Sequence, residues 1–192
     1  MSQATAAPAR SKFTTKEIVL TALMAVIMAV CSWISIPTEV PFTLQTFAVF
    51  CALLLLGGRN GFFSVLVYIL LGAVGIPVFA GFSGGMGVIL GTTGGYIVGF
   101  LLLALVYWLA EKIPVKGTAP RIAVAVIAMI IGTALCYAFG TFWFMHVYAK
   151  KVEAISLGTA LKWCVIPFIP VDLIKLAVAV PLCESIKKYA KL

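Results

Sequence analysis

Six stretches of the chain are apolar over a length that spans or nearly spans a bilayer: roughly 18–36, 42–57, 61–76, 94–110, 121–145 and 163–183. A hydrocarbon core about 30 Å thick is crossed by about 20 helical residues. Every backbone N–H and C=O inside it must be satisfied by the protein itself, so such segments fold as helices. The second and third runs are short and draw on flanking apolar residues to cross. Composition points the same way: of 192 residues, 63% are hydrophobic and 10% charged, and the mean hydropathy is +1.16. The expectation is an all-α integral membrane protein with six transmembrane helices.

An even number of spans puts both termini on one side. If that side is cytoplasmic, it receives Arg10, Lys12, Lys16, Arg59, Lys112, Lys116, Arg121, Lys187, Lys188 and Lys191, while the outside receives Lys150, Lys151 and Lys162. Ten against three obeys the positive-inside rule. The net charge of +8 is therefore topology rather than a nucleic-acid footprint, and no nucleic-acid partner is expected. Residues 1–16 read as a cytoplasmic N-terminal tail and 17–192 as a single six-helix membrane domain. The connection over 146–162 is a basic outer loop in this arrangement. Cys31, Cys51, Cys136, Cys164 and Cys183 are odd in number and lack a C-x-x-C spacing, so they read as small buried hydrophobes with no disulfide or metal role.

Two features break the apolar monotony, and both fall at the outer end. The last run, WCVIPFIPVDLIKLAVAVPLC, carries Asp172 and Lys175. A charge at mid-membrane costs about 2.5–3.5 kcal/mol on insertion scales, so such residues face a cavity or a partner. Pro170 suits the first turn of a helix. A helix starting there puts Asp172 in that turn, favoured by the helix dipole, and Lys175 at i+3 on the same face. The pair reads either as a packing device or as a polar anchor for a ligand, and the second is preferred. The other feature is the connection over 77–93. No charge occurs between Asn60 and Lys112 other than Glu111, and eight of the 17 glycines fall between Gly81 and Gly99. An uncharged, glycine-rich loop at a membrane face is expected to fold inward and cap a cavity, with main-chain N–H groups close to a ligand.

Several functions are excluded or disfavoured. There is no G-x-x-x-x-G-K-[ST], so the chain has no P-loop for ATP. Nothing resembles an ion-selectivity filter. Gly81-Phe82-Ser83-Gly84 has the G-x-S-G form of rhomboid intramembrane serine proteases, with His146 the one histidine to pair with Ser83. That short pattern keeps a rhomboid-like protease as a low-ranked alternative. In the first run, Ala25 and Ala29 have the small-xxx-small spacing that lets another helix approach closely.

The chain resembles the biotin-binding S components of energy-coupling-factor (ECF) transporters, the BioY family. The resemblance is carried by Val40-Pro41-Phe42-Thr43-Leu44-Gln45, Gly72-Ala73-Val74-Gly75-Ile76-Pro77-Val78-Phe79 and Gly81-Phe82-Ser83-Gly84-Gly85. It continues in Gly91-Thr92-Thr93-Gly94-Gly95-Tyr96 and Pro170-Val171-Asp172-Leu173-Ile174-Lys175. Thr92, Val171 and Gly58 depart from the family's frequent Pro, Gly and Pro. The resemblance implies an S-component-like bundle with an external Gly-rich capping loop, in a bacterial cell membrane. It implies a non-enzymatic subunit that captures biotin, without a cofactor. A transmembrane coupling subunit and two cytoplasmic ATPases would be its partners, and the Ala25-xxx-Ala29 pattern is similar to the family's docking motif. An S component for another vitamin is the alternative.

Biotin has two ureido N–H donors, a carbonyl, a thioether and a carboxylate-ended tail. Asp172 is expected to accept from N–H groups and Lys175 to donate to the carbonyl or to an anion. Ser83 and the main chain at Gly84 offer further polar contacts, and Gln45 bonds either the ligand or a neighbouring helix. Phe79, Phe82 and Tyr96 are expected to wall the apolar rings and tail. The sequence leaves open which end of biotin meets Lys175.

Overall fold

Helices dominate the computed structural model, which describes residues 13–38 and 40–190. Most of the expected tail over 1–16 lies outside the described residues. α1 (Thr15–Trp33) begins within its last two positions. A capping box starts it: Glu17 N–H donates to Thr14 Oγ1, and Thr14 N–H donates to the Glu17 carboxylate at 2.8 Å. A two-stranded hairpin follows, with β1 (Ser35–Ile36) antiparallel to β2 (Phe42–Thr43).

α2 (Gln45–Ala73) is a continuous run in the chain but not a straight rod. Gly57 has φ 77° and ψ 171°, and there the helix doubles back. The proof is distance. Eight residues along a straight helix are about 12 Å apart, yet a Cβ on Gly61 would come 2.9 Å from Leu53 Cα. Gln45 likewise reaches Tyr68, 23 positions away, at 2.9 Å. The two arms, 45–56 and 58–73, are the second and third expected spans. Glu111 closes the turn by accepting from Gly58 N–H at 2.7 Å, which supplies a cap to the start of the second arm.

A folded connection follows, with a 3-10 turn (Ala80–Phe82) and the short α3 (Met86–Ile89). Next come α4 (Gly94–Ala110), α5 (Thr118–Lys151), α6 (Leu157–Cys164) and α7 (Phe168–Ala190). The bundle is built around α2, which packs on α1, α4 and α7, while α4 packs along α5. α1, α2, α5 and the α6–α7 stretch are long and apolar enough to cross a membrane, with α4 slightly shorter. Counting both arms of α2, the six expected spans are present.

Three expectations need correction. The connection over 146–162 is mostly helix: α5 runs to Lys151 and α6 begins at Leu157, capped by Ser156 Oγ accepting from Thr159 N–H. At 34 residues α5 is about 51 Å long and outreaches the hydrocarbon core. The last span is broken at 165–167 rather than continuous from 163. α7 starts at Phe168, so Asp172 lies beyond the first turn. A proline at the third helical position removes an N–H that has no partner there anyway, so Pro170 need not be the starting residue.

Candidate functional site

A cavity of about 240 Å³ opens at the end of the bundle opposite the Gly57 turn, somewhat below the ~300–1,000 Å³ usual for ligand pockets. Its walls come from the β1–β2 hairpin, the start of α2, the connection before α4, α4, the middle of α5, Cys164 and the first half of α7. Asp172 and Lys175 are both in the wall, 5% and 7% exposed. Lys175 Nζ lies 2.7 Å from Asp172 Oδ1. The second carboxylate oxygen, Oδ2, accepts from the Tyr137 hydroxyl on α5 at 2.5 Å. A buried charge pair is tolerable only when its remaining capacity is met in this way.

The connection before α4 is held in place by a chain of hydrogen bonds. The Val78 carbonyl accepts from Ser32 Oγ of α1 at 2.5 Å and from Tyr68 OH at 3.1 Å. Tyr68 OH in turn accepts from Gln45 Nε2. Gln45 therefore ties the two arms of α2 together and also lines the cavity. Trp33 Nε1 donates to the Pro77 carbonyl at 2.9 Å. Phe79 is buried against Gly72, where a Cβ would fall 2.0 Å from the ring. Only glycine fits beneath it.

Of the residues singled out in the sequence, Asp172, Lys175, Ser83, Gln45, Phe79 and Tyr96 line this one cavity. Ser83 Oγ donates to the Ala80 carbonyl at 2.7 Å. Tyr96 offers its ring, because its hydroxyl is engaged with Thr141 at 2.9 Å. Phe82 and Gly84 lie off the cavity. Phe82 has a left-handed backbone, φ 55°, uncommon for a bulky residue, and its ring stacks on Trp33 at 4.9 Å. Gly84 packs under the 75–76 backbone, where a Cβ would meet the Ile76 carbonyl at 2.4 Å.

Ala25 and Ala29 are a clear correction. They are 1% and 5% exposed, in the core shared with α2. Their small size serves close packing inside the chain and leaves them no surface for a partner. The exposed side of α1 is instead Ala22, Leu23, Val26 and Val30. His146 is exposed and does not line the cavity, so it is no partner for Ser83 there.

Sequence reasoning missed Tyr137, Thr133, Thr93 and Phe168, all in the cavity wall. A signal was present. Thr133, Tyr137 and Thr141 recur every four residues along an apolar helix, which places their polar atoms on one face.

Comparison with known proteins agrees with this architecture. A family model described as the BioY family matches residues 4–191. The chain is 39% identical to a Thermotoga maritima protein named biotin transporter BioY, covering 90% of this chain and 96% of that one. It is 39% identical to a probable biotin transporter BioY of Pyrococcus horikoshii, over 90% and 96%. Among solved structures it is similar to the S-component for biotin from an ECF-type ABC transporter. The TM-score there is 0.76 at 25% identity, covering 92% of this chain and 95% of that one. With nearly its whole length matched by the family model, and with the same helical bundle, this chain belongs to the BioY family.

Proposed function

We propose that this chain is the substrate-binding membrane subunit of an ECF transporter and that it captures biotin in the 240 Å³ cavity. The observation that carries the reading is the buried Asp172–Lys175 pair, set in the wall of an otherwise largely apolar pocket. The relatives named as biotin transporters support the choice of ligand, and family membership replaces the protease alternative.

Asp172, Lys175, Ser83 and Gln45 are the proposed polar contacts, with Phe79 and Tyr96 walling the ligand. The ureido end belongs beside the ion pair. The pair sums to no net charge, and a second carboxylate placed against Asp172 meets a like charge, whereas a neutral group that donates and accepts meets both partners. The connection before α4 is proposed as the external cap, with both termini and the tail over 1–16 on the cytoplasmic side, as the positive-inside count favours. In that arrangement a transmembrane coupling subunit and two cytoplasmic ATPases drive import, and this chain itself carries no P-loop. Equilibrium binding of the purified protein to a vitamin panel tests the ligand. Biotin should bind alone among them; binding of riboflavin or thiamine with biotin inert overturns the assignment.

A further inference from the structure

α5 brings two polar side chains to the cavity that sequence reasoning did not assign a role. Tyr137 and Thr133 are one helical turn apart and both line it. Tyr137 donates to Asp172 Oδ2. Thr133 Oγ1 is shut off from solvent and has no hydrogen-bond partner among the described residues. A buried hydroxyl left unpaired is uncommon, since a helical threonine can bond the carbonyl one turn back. Threonine also has two accessible rotamers in a helix, so rotation about Cα–Cβ lets its hydroxyl follow a ligand.

We propose that Tyr137 and Thr133 form a second recognition wall, which makes the cavity select a neutral head group that both donates and accepts over a cationic one. This rests on the biotin reading above. The Asp172 carboxylate shares its charge between two donors, Lys175 on one oxygen and Tyr137 on the other. The single hydroxyl proton of Tyr137 is committed to Asp172, so toward a ligand its oxygen is an acceptor. Lys175 keeps two further N–H donors, and the Thr133 hydroxyl serves as either. Donors and acceptors thus stand side by side at no net charge. A cation brought to this cluster is repelled by Lys175, and the Asp172 charge that would offset the repulsion is already shared with Lys175 and Tyr137.

The test compares biotin with iminobiotin, whose guanidinium replaces the ureido group with a cation, on the full-length purified protein. Tyr137→Phe frees one carboxylate oxygen. Biotin should weaken about tenfold, the usual scale for losing a hydrogen bond to a charged group, and iminobiotin should weaken less, so the preference for biotin shrinks. Thr133→Val keeps the shape and removes the unpaired hydroxyl. Biotin should weaken about threefold or more while the melting temperature holds or rises, because a buried orphan has gone. Equal losses for both ligands in Tyr137→Phe mark a merely structural tyrosine and overturn the proposal, as does wild-type binding in both variants. If Tyr137→Phe does not fold, Thr133→Val decides alone: unchanged biotin affinity overturns the wall. A wild-type protein that fails to bind biotin defeats the underlying reading, and the proposal with it.

Discussion

Asp172 offers the most direct residue-level test. Asp172→Asn keeps the shape but removes the charge to which Lys175 and Tyr137 bond. Bonds to charged groups are worth about 1.5–3 kcal/mol, so biotin affinity should fall roughly ten- to a hundredfold by titration. Wild-type affinity with a depressed melting point would show the pair to be packing alone. Ala25→Leu tests the opposite kind of residue. At 1% exposure there is no room for three added carbons, so overpacking should cost about 1–3 kcal/mol, read as a lower melting temperature. The two cases show what sequence tells at this scale. Charges inside an apolar run announce themselves, whereas Tyr137 reads as bulk until its hydroxyl has a neighbour from another helix. The Ala25–Ala29 spacing announces a close approach but not which helix approaches, and the neighbour turned out to be the chain's own α2.

Among the elements, the bent α2 is the most exacting. Its turn requires φ 77° at Gly57 and a capped N–H at Gly58, where a Cβ would fall 2.3 Å from Trp108 Cα. Glu111→Ala removes that cap and should cost about 0.5–2 kcal/mol, the range for lost helix caps, measurable as a drop in melting temperature with little change in biotin affinity. Gly72→Ala works at the other end of the second arm. Its Cβ displaces the Phe79 ring from the cavity wall, so there affinity should fall as well as stability. The runs over 42–57 and 61–76 were legible as separate helices because glycines and Arg59 divide them. The break at 165–167 was not, since Val165 and Ile166 are as apolar as a span and Pro167 alone does not say on which side the helix resumes. Nor could hydropathy separate the end of α5 from a polar loop, because a helix leaving the membrane becomes polar while staying helical.

Taken whole, the molecule has a cavity at one end and the Gly57 turn at the other, with no nucleotide motif between them. On the ECF reading proposed above, concentrative biotin uptake into vesicles should require co-reconstituted ATPases and internal ATP. Accumulation by this chain alone, with neither present, would contradict that dependence. The overall architecture was legible because lipid leaves a backbone few choices; the site was half legible because the recurrence of Thr133, Tyr137 and Thr141 shows a polar face on α5 but not what that face meets. The ion pair has a consequence for how the protein is made. Asp172 and Lys175 are three residues apart on the same helix, so they can meet as soon as α7 winds, before any other segment arrives. During synthesis the last helix then enters the bilayer as a neutral dipole rather than as two separate charges, each of which costs up to about 2.5–3.5 kcal/mol at mid-membrane. Moving the lysine to another helix would preserve the finished site on paper but make the newborn segment carry an unpaired carboxylate into the bilayer.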